Sequence, residues 1–451
     1  MTIQEIANAI GTDTSDTGTI SCISTDSREV PVGCLFIALS GERFNGHDYV
    51  RAALQAGAAY AIVHEHRDYG SDRILYVKDT ERALMAIGRA YRAKFQIHCV
   101  GITGSVGKTT TKDMVAEVVE AGFKTLKTQG NLNNEIGLPK TLLNLDPSYQ
   151  AAVIEMGMQG MGEIAALAEV AQPQLGVITN IGVSHIEQLV SRENILKAKL
   201  ELADALPDGA PLLLCGDNDL LQTVEIPRLK VLFYGIENEQ CEIRAQEIHE
   251  SSTETAFTLV YDGSCYHTVI PCIGRHNVLN ALAAFGVGRA LGIDAPKCIA
   301  ALRNYVPSGM RQKIVPYNGY TVVEDCYNAS PDSMKAALKT LAAYPCKGRR
   351  IAVLADMLEL GTISQQAHIE IGRFAAENGI ELLLAYGDMA RYYSQGAAQG
   401  KTEAAHFNDK STLLAVLLKQ LHAGDVVWFK GSHGMHLEEI LQGLYEERQS
   451  K

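Results

Sequence analysis

Residues Gly101 to Asp113 read GITGSVGKTTTKD, and this stretch leaves the chain around it few choices. An apolar run, Ile97 to Ile102, leads into it. Behind it Met114, Val115, Val118 and Val119 recur at helical spacing. The glycines therefore join a strand to a helix, and the helix presents its N-terminus to whatever the loop holds. Glycine permits close backbone approach, so amides from Gly104 to Thr109 are expected to point inward at a phosphate. Lys108 would reach the β- and γ-phosphates, and the Thr109 hydroxyl would hold Mg²⁺. The strict spacing G-x-x-x-x-G-K-[ST] fails by one position, because Gly101 stands six residues before Gly107. Strand, loop and helix are nonetheless in the right order, which implies a nucleoside triphosphate ligand.

The 451 residues are too many for one ordinary core, and a net charge of −12 speaks against a nucleic-acid partner. Any anionic ligand must be held locally, by a few cations and backbone amides. The first residues, MTIQEIANAI, read as a short amphipathic helix rather than a signal sequence. No apolar run reaches the roughly 18 residues needed to cross a bilayer, so a cytoplasmic protein without membrane insertion is expected. The ten cysteines form no C-x-x-C pair, and Cys99, Cys215 and Cys272 sit in strand-like apolar runs. That usage fits buried free thiols in a reducing compartment.

The pattern predicts an α/β protein of three domains. Residues 1–97 mix short strands (CLFIAL, YAIVHE, ILYVK) with alanine-rich helices. Residues 98–311 alternate helices with unbroken apolar strands, the mark of a parallel sheet covered on both faces. The runs CEIRAQEI, TAFTLVYD and CYHTVIPCI alternate in twos and predict an antiparallel appendage to this domain. Residues 312–451 form a second α/β unit with strands YTVVEDCY, RIAVLADM, ELLLAYG and DVVWFKG. Within it Ser330 can cap a helix that begins at Pro331. Two strand ends in the middle domain offer further metal ligands: Glu155 after AAVIEMG, and His185 in TNIGVSHIE.

These motifs recur together in one place. The loop G-x-x-G-x-x-G-K-T-T, the strand ending Glu155-Met156-Gly157, TNIGVSHIE and GRHNVLNALAA resemble the Mur ligases and their folylpolyglutamate synthetase relatives, over essentially the whole chain. The resemblance implies an N-terminal UDP-binding domain, a central P-loop ATPase domain and a C-terminal Rossmann-like domain. NLNNEIGLP, DCYNASPDSM and ADMLELG are most similar to the member that adds D-alanyl-D-alanine to a UDP-N-acetylmuramoyl-tripeptide, in peptidoglycan precursor synthesis. The expected reaction forms an acyl phosphate from ATP, which the dipeptide amine then attacks.

The resemblance also implies a set of site residues. Thr103, Gly104, Ser105, Val106, Gly107, Lys108, Thr109 and Thr110 would bind ATP, with His276 and Asn277 near the adenine. Arg311 and Asp325 would face the phosphates and ribose. Ser27, Arg28, Asn45 and His47, in STDSREV and GERFNGHDYV, would contact the uridine nucleotide, although TDSREV also reads as a capped turn. Asn131, Asn133, Asn134, Tyr327 and Asn328 would contact the substrates. Lys108, His185 and Lys199 would serve catalysis. Lys199, in SRENILKAKLELADAL, matches a lysine that relatives carbamylate with CO₂; its carbamate would join Thr109, Glu155 and His185 around Mg²⁺. Carbamylation needs a neutral amine and so a pKa below the usual value of roughly 10.4. Two positions depart from the family pattern: Ser330 stands where Asn is common, and His433 where KGSR has Arg. A neutral imidazole cannot grip a carboxylate bidentately. Other amino-acid-adding ligases of the same scaffold, or a P-loop switch that performs no ligation, stay open on these residues. So does the identity of the third peptide residue, diaminopimelate or lysine. A monomer is expected.

Overall fold

In the computed structural model, which describes residues 1–41, 44–307 and 309–446, three large sheets follow one another along the chain, with a two-stranded ribbon, Ser40–Gly41 and Phe44–Asn45, beside the first. The first is parallel and four-stranded, in the order Ile23–Ser24, Leu35–Ile37, Tyr60–Val63, Ile74–Tyr76. The opening helix, Ile3–Ile10, is started by a reciprocal cap between Thr2 and Glu5 and buries Ile3 and Ile6 against this sheet. Glu42 and Arg43 of the GERFNGHDYV motif lie outside the described residues.

The second sheet has nine strands and carries the phosphate loop. Its parallel part places His98–Thr103 between Leu175–Ile178 and Ala151–Glu155. Each of these three strands is apolar along nearly its whole length, as burial on both faces requires. The helix Lys108–Glu120 buries Met114, Val115, Val118 and Val119. Gly101 lies inside the strand, not in the loop. A β-carbon there would stand 2.8 Å from Leu202 Cδ1, so this glycine lets helix Arg192–Asp204 pack on the sheet. That accounts for the extra residue in the motif spacing.

The three alternating runs do pair antiparallel, as Ile243–Glu250, Thr255–Tyr261 and Ser264–Ile270. Tyr234 and Gly235 pair in parallel with Ile243 and Arg244, so the hairpins extend the central sheet without a break.

The third sheet orders its six strands Lys313–Tyr317, Tyr320–Asp325, Val426–Lys430, Arg350–Ala355, Leu382–Tyr386, Glu403–Phe407. The first of these is antiparallel to its neighbour and the rest are parallel. Ser330 caps Pro331–Ala343 with Ser333 completing the reciprocal bond, and Met334, Leu338 and Leu341 are buried. All ten cysteines are free, and burial pushes the Cys215 and Cys272 thiols up to about 12. No described helix is long and apolar enough to cross a membrane.

Candidate active site

Parallel sheets gather their loops at the C-terminal strand ends, and here that edge of the central sheet faces the third sheet. Between them lies a cavity of about 890 Å³. Its walls include Ser105 to Thr110, Glu155 and His185 from the central block. Arg311, Asp325, Tyr327 and Asn328 enter from the junction and the C-terminal block.

The loop is shaped by its neighbours. Gly104 has φ +150°, and a β-carbon there would overlap Thr179 Oγ1. Gly107 has φ +83°, with Asn280 Oδ1 at 2.9 Å from where a β-carbon would stand. Both positions exclude a side chain. Two of the amides expected to face a ligand are already committed. Ser105 N–H donates to Asn180 O at 3.0 Å, and Val106 N–H to Asn180 Oδ1 at 2.8 Å. The amides left for phosphate are those of Gly104, Gly107 and the helix start, where Lys108, Thr109 and Thr110 have no carbonyl one turn back inside the helix. Thr103 is likewise turned away, its hydroxyl donating to Met156 O at 2.9 Å within the core.

Lys108 Nζ folds back on Gly104 O at 2.9 Å. Withdrawal from water holds its pKa below the ordinary lysine value; Glu155 opposes this shift and Arg311 adds to it. Of the cations lining the cavity, Lys313 and Lys430 are paired with Glu324 and Asp325, whereas Lys108 and Arg311 form no ion pair with a carboxylate among the described residues. A site that gathers cations without their counter-ions suits a polyanion.

Glu155 is 2 % exposed. Asn133 donates to its Oε1 at 2.8 Å, while Oε2 is buried with no hydrogen-bond partner. A half-satisfied buried carboxylate is costly unless a cation completes it. Lys199 is 1 % exposed, and its ammonium faces no carboxylate among the described residues. Burial first, and then the charge of Lys108, drive its pKa well below the ordinary value. His185 sits in the left-handed region at φ 64° and its Nδ1 lies 2.8 Å from Glu359 Oε2 of the C-terminal block. That leaves Nε2 as its remaining ligand atom.

At the other end of the cavity, Asn277 donates to Ile273 O and Gln312 Oε1, and the His276 ring meets Gln312 Nε2 at 2.9 Å. Asp325 is less available than its strand-end position implied. Its Oδ2 accepts from Lys430 Nζ at 2.8 Å and from Trp428 Nε1 at 3.3 Å. Asn131, Asn133 and Asn134 line the cavity, but Asn134 Oδ1 caps the helix that follows, accepting from Gly137 N–H. A smaller cavity of about 220 Å³ adjoins, bounded by His185, Tyr327, Asn328, Glu359, Ser432 and His433 among others.

Ser27, Arg28, Asn45 and His47 do not line this cleft; they belong to the N-terminal block, Ser27 and Arg28 in a turn, Asn45 at the end of a short two-stranded ribbon and His47 in the helical turn after it. Arg28 is bound to Asp26 at 2.6 Å, the capped turn that the sequence also allowed. His47 is buried, with Nδ1 on Asn45 Oδ1 at 2.8 Å and Nε2 accepting from His64 N–H at 3.0 Å. Both ring nitrogens are thus occupied, and His47 fixes Asn45 rather than presenting itself to solvent.

Sequence reasoning missed Asn180, Asn280 and Glu359, which hold the loop, its helix and His185. Asn180 carried a signal, since it follows the strand neighbouring the loop strand, where Ile178 pairs with Thr103.

Fold and cleft define a P-loop α/β protein in which a second α/β block closes one side of the nucleotide site. Family models match the chain along most of its length: the Mur ligase family catalytic domain over residues 19–92, the Mur ligase middle domain over 102–288, and the Mur ligase glutamate ligase domain over 310–433. The chain belongs to the Mur ligase family. It is 37% identical to the UDP-N-acetylmuramoyl-tripeptide–D-alanyl-D-alanine ligase of Bacillus subtilis, over 94% of this chain and 93% of that one. Identity to the Escherichia coli ligase of the same name is 35%, over 95% and 94%. A crystal structure of MurF from Acinetobacter baumannii superimposes with a TM-score of 0.91 at 29% identity, covering 99% of this chain and 98% of that one. MurF ligase from Thermotoga maritima in complex with ADP gives 0.87 at 28%, covering 95% and 98%.

Proposed function

We propose that this chain joins D-alanyl-D-alanine to a UDP-N-acetylmuramoyl-tripeptide at the expense of ATP, as a step of peptidoglycan precursor synthesis. The observation that carries this is identity of 35–37% to ligases of that name across nearly the full length of both chains. The cleft supports it, because a phosphate loop faces a second α/β block over a cavity large enough for more than one ligand.

A carboxylate does not react with an amine in water until it is activated. Transfer of the ATP γ-phosphoryl group to the tripeptide carboxylate gives an acyl phosphate. The dipeptide amine attacks its carbonyl, and phosphate leaves. The protein contributes placement and charge neutralisation. Lys108 and the free amides of the loop and helix start hold the phosphates, with Arg311 lining the same cavity. Asn133 orients Glu155. The C-terminal block shields the acyl phosphate from hydrolysis. The residues fit Mg²⁺: Glu155 has an unpartnered buried oxygen, and Thr109, His185 and a carbamate on Lys199 would complete the donor set. When bound, the ion neutralises phosphate charge. A buried lysine with a lowered pKa supplies the neutral amine that carbamylation by CO₂ requires.

Asn328 and Tyr327 serve the dipeptide side, and the N-terminal block, with Asn45 and the Ser27–Arg28 turn, serves the UDP moiety. The boundaries 1–97, 98–311 and 312–451 describe this division of labour. The chain acts as a cytoplasmic monomer. Phosphate release from ATP tests the reading: it should require both a UDP-muramoyl-tripeptide and D-Ala-D-Ala. Separate assays with diaminopimelate and lysine in the acceptor identify its third residue. Release without either substrate would make the protein an ATPase switch instead.

A further inference from the structure

Arg311 does not lean on a carboxylate. Its guanidinium carbon lies 3.7 Å from the centroid of the Tyr327 ring, at stacking distance. An arginine held by its flat face keeps all its N–H donors, which lie in the guanidinium plane, free for another partner. An arginine held by a carboxylate would have spent two of them. Arg311 lines the large cavity, near enough to Lys108 to depress that lysine's pKa.

Tyr327 is well fixed for this purpose. Lys430 Nζ bridges Asp325 Oδ2 at 2.8 Å and Asn328 O at 3.0 Å, clamping the turn on either side of it. The His433 ring stacks nearby, centroids 5.9 Å apart and planes 26° apart. Tyr327 also lines both cavities, whereas Arg311 lines only the larger one.

We infer that Tyr327 is a positioning residue for the nucleotide: its ring holds Arg311 with the guanidinium edge presented to the ATP phosphates, and His433 backs the ring from the side of the smaller cavity. This departs from the sequence expectation, in which Tyr327 belonged to the substrate contacts alone. It also gives the arginine-to-histidine departure at residue 433 a function, since an imidazole supplies a flat stacking partner. The inference rests on the nucleotide reading of the large cavity and is independent of which dipeptide is joined.

The test is ADP affinity by titration calorimetry on the full chain, with ATP and dipeptide KM measured alongside. Tyr327→Leu keeps apolar bulk but removes the π face, and it should weaken ADP roughly tenfold. Tyr327→Phe should recover that loss, because the hydroxyl is not used. Arg311→Ala should lose as much as Tyr327→Leu, and the double variant no more than either single one. His433→Ala should weaken ADP in the same direction, and His433→Phe should restore it. The inference is overturned if Tyr327→Leu leaves ADP affinity unchanged and raises only the dipeptide KM, if Tyr327→Phe loses as much as Tyr327→Leu, or if the single losses add. Failure of the parent protein to bind ADP would instead overturn the nucleotide reading itself.

Discussion

Asn133 donates its side-chain amide to one oxygen of Glu155 at 2.8 Å, and the other oxygen of that carboxylate is buried without a partner. The pair is an aimed, half-satisfied acceptor beside the phosphate loop. Asn133→Ala should therefore raise the Mg²⁺ concentration for half-maximal activity by roughly tenfold, through loss of orientation alone. Glu155→Gln should abolish the metal dependence together with most activity, yet raise the melting temperature of the ligand-free protein, because a buried unpaired charge disappears. Metal titrations of activity and thermal unfolding without metal check the two halves. An unchanged titration in both variants would remove Glu155 from the ion.

Gly104 is the point at which the loop tolerates no side chain. A β-carbon would overlap the Thr179 hydroxyl, which itself donates to Val106 O at 2.6 Å. Gly104→Ala should cost about 1–3 kcal/mol of stability and eliminate ADP binding. Denaturant unfolding and calorimetry measure these separately. Lys108→Ala should behave differently, losing ligation with its unfolding curve nearly unchanged, since the only bond lost is to the loop's own Gly104 carbonyl.

Lys199 yields a prediction in pH. Its folded pKa lies well below the unfolded value of roughly 10.4, so between the two the unfolded chain binds more protons. In CO₂-free buffer the parent should gain stability as pH rises through that window. Lys199→Met should lack the rise, and should be the more stable protein at neutral pH. Melting temperatures of both across that range check the sign. With CO₂ present, intact mass in a gently prepared sample should show one carbamate on the parent and none on Lys199→Met. Lys199→Ala should lose most activity, while Lys197→Ala, on another face of the same helix, should keep it.

Asn328 is exposed, lines both cavities, and spends its Oδ1 on the neighbouring Ala329 N–H, which leaves the amide nitrogen presented. Asn328→Ala should raise the D-Ala-D-Ala KM several-fold more than the KM for the UDP-linked acceptor. Initial-rate kinetics with each substrate varied in turn provide the comparison. Equal increases would assign Asn328 to closure of the cleft instead.

Local chemistry was legible where the sequence signals it locally. Glycines before Lys108, the buried stripe of the helix behind it, the Ser330-Pro331 helix start and the alternating runs at 243–270 all matched their elements. Long-range pairing was the part that eluded reading. The strand-end position of Asp325, expected to face phosphate and ribose, does not reveal that Lys430, 105 residues on, donates to its carboxylate. Thr103, expected among the ATP contacts, turns its hydroxyl inward to Met156 O, a direction that its place at the strand end does not reveal. Ser105 and Val106 commit their amides to Asn180, a partner just beyond the neighbouring strand that spacing within the loop cannot reveal.

The segment after the strand Leu175–Ile178 touches both sides of the cleft. Gly182 N–H donates to Ser105 Oγ at 2.9 Å, Val183 N–H serves the Asp332 carboxylate and His185 meets Glu359. Any parting of the two blocks would pull Asp332 and Glu359 away from the strip that pins Ser105. Widening of the cleft and slackening of the phosphate cradle are coupled through this one strip.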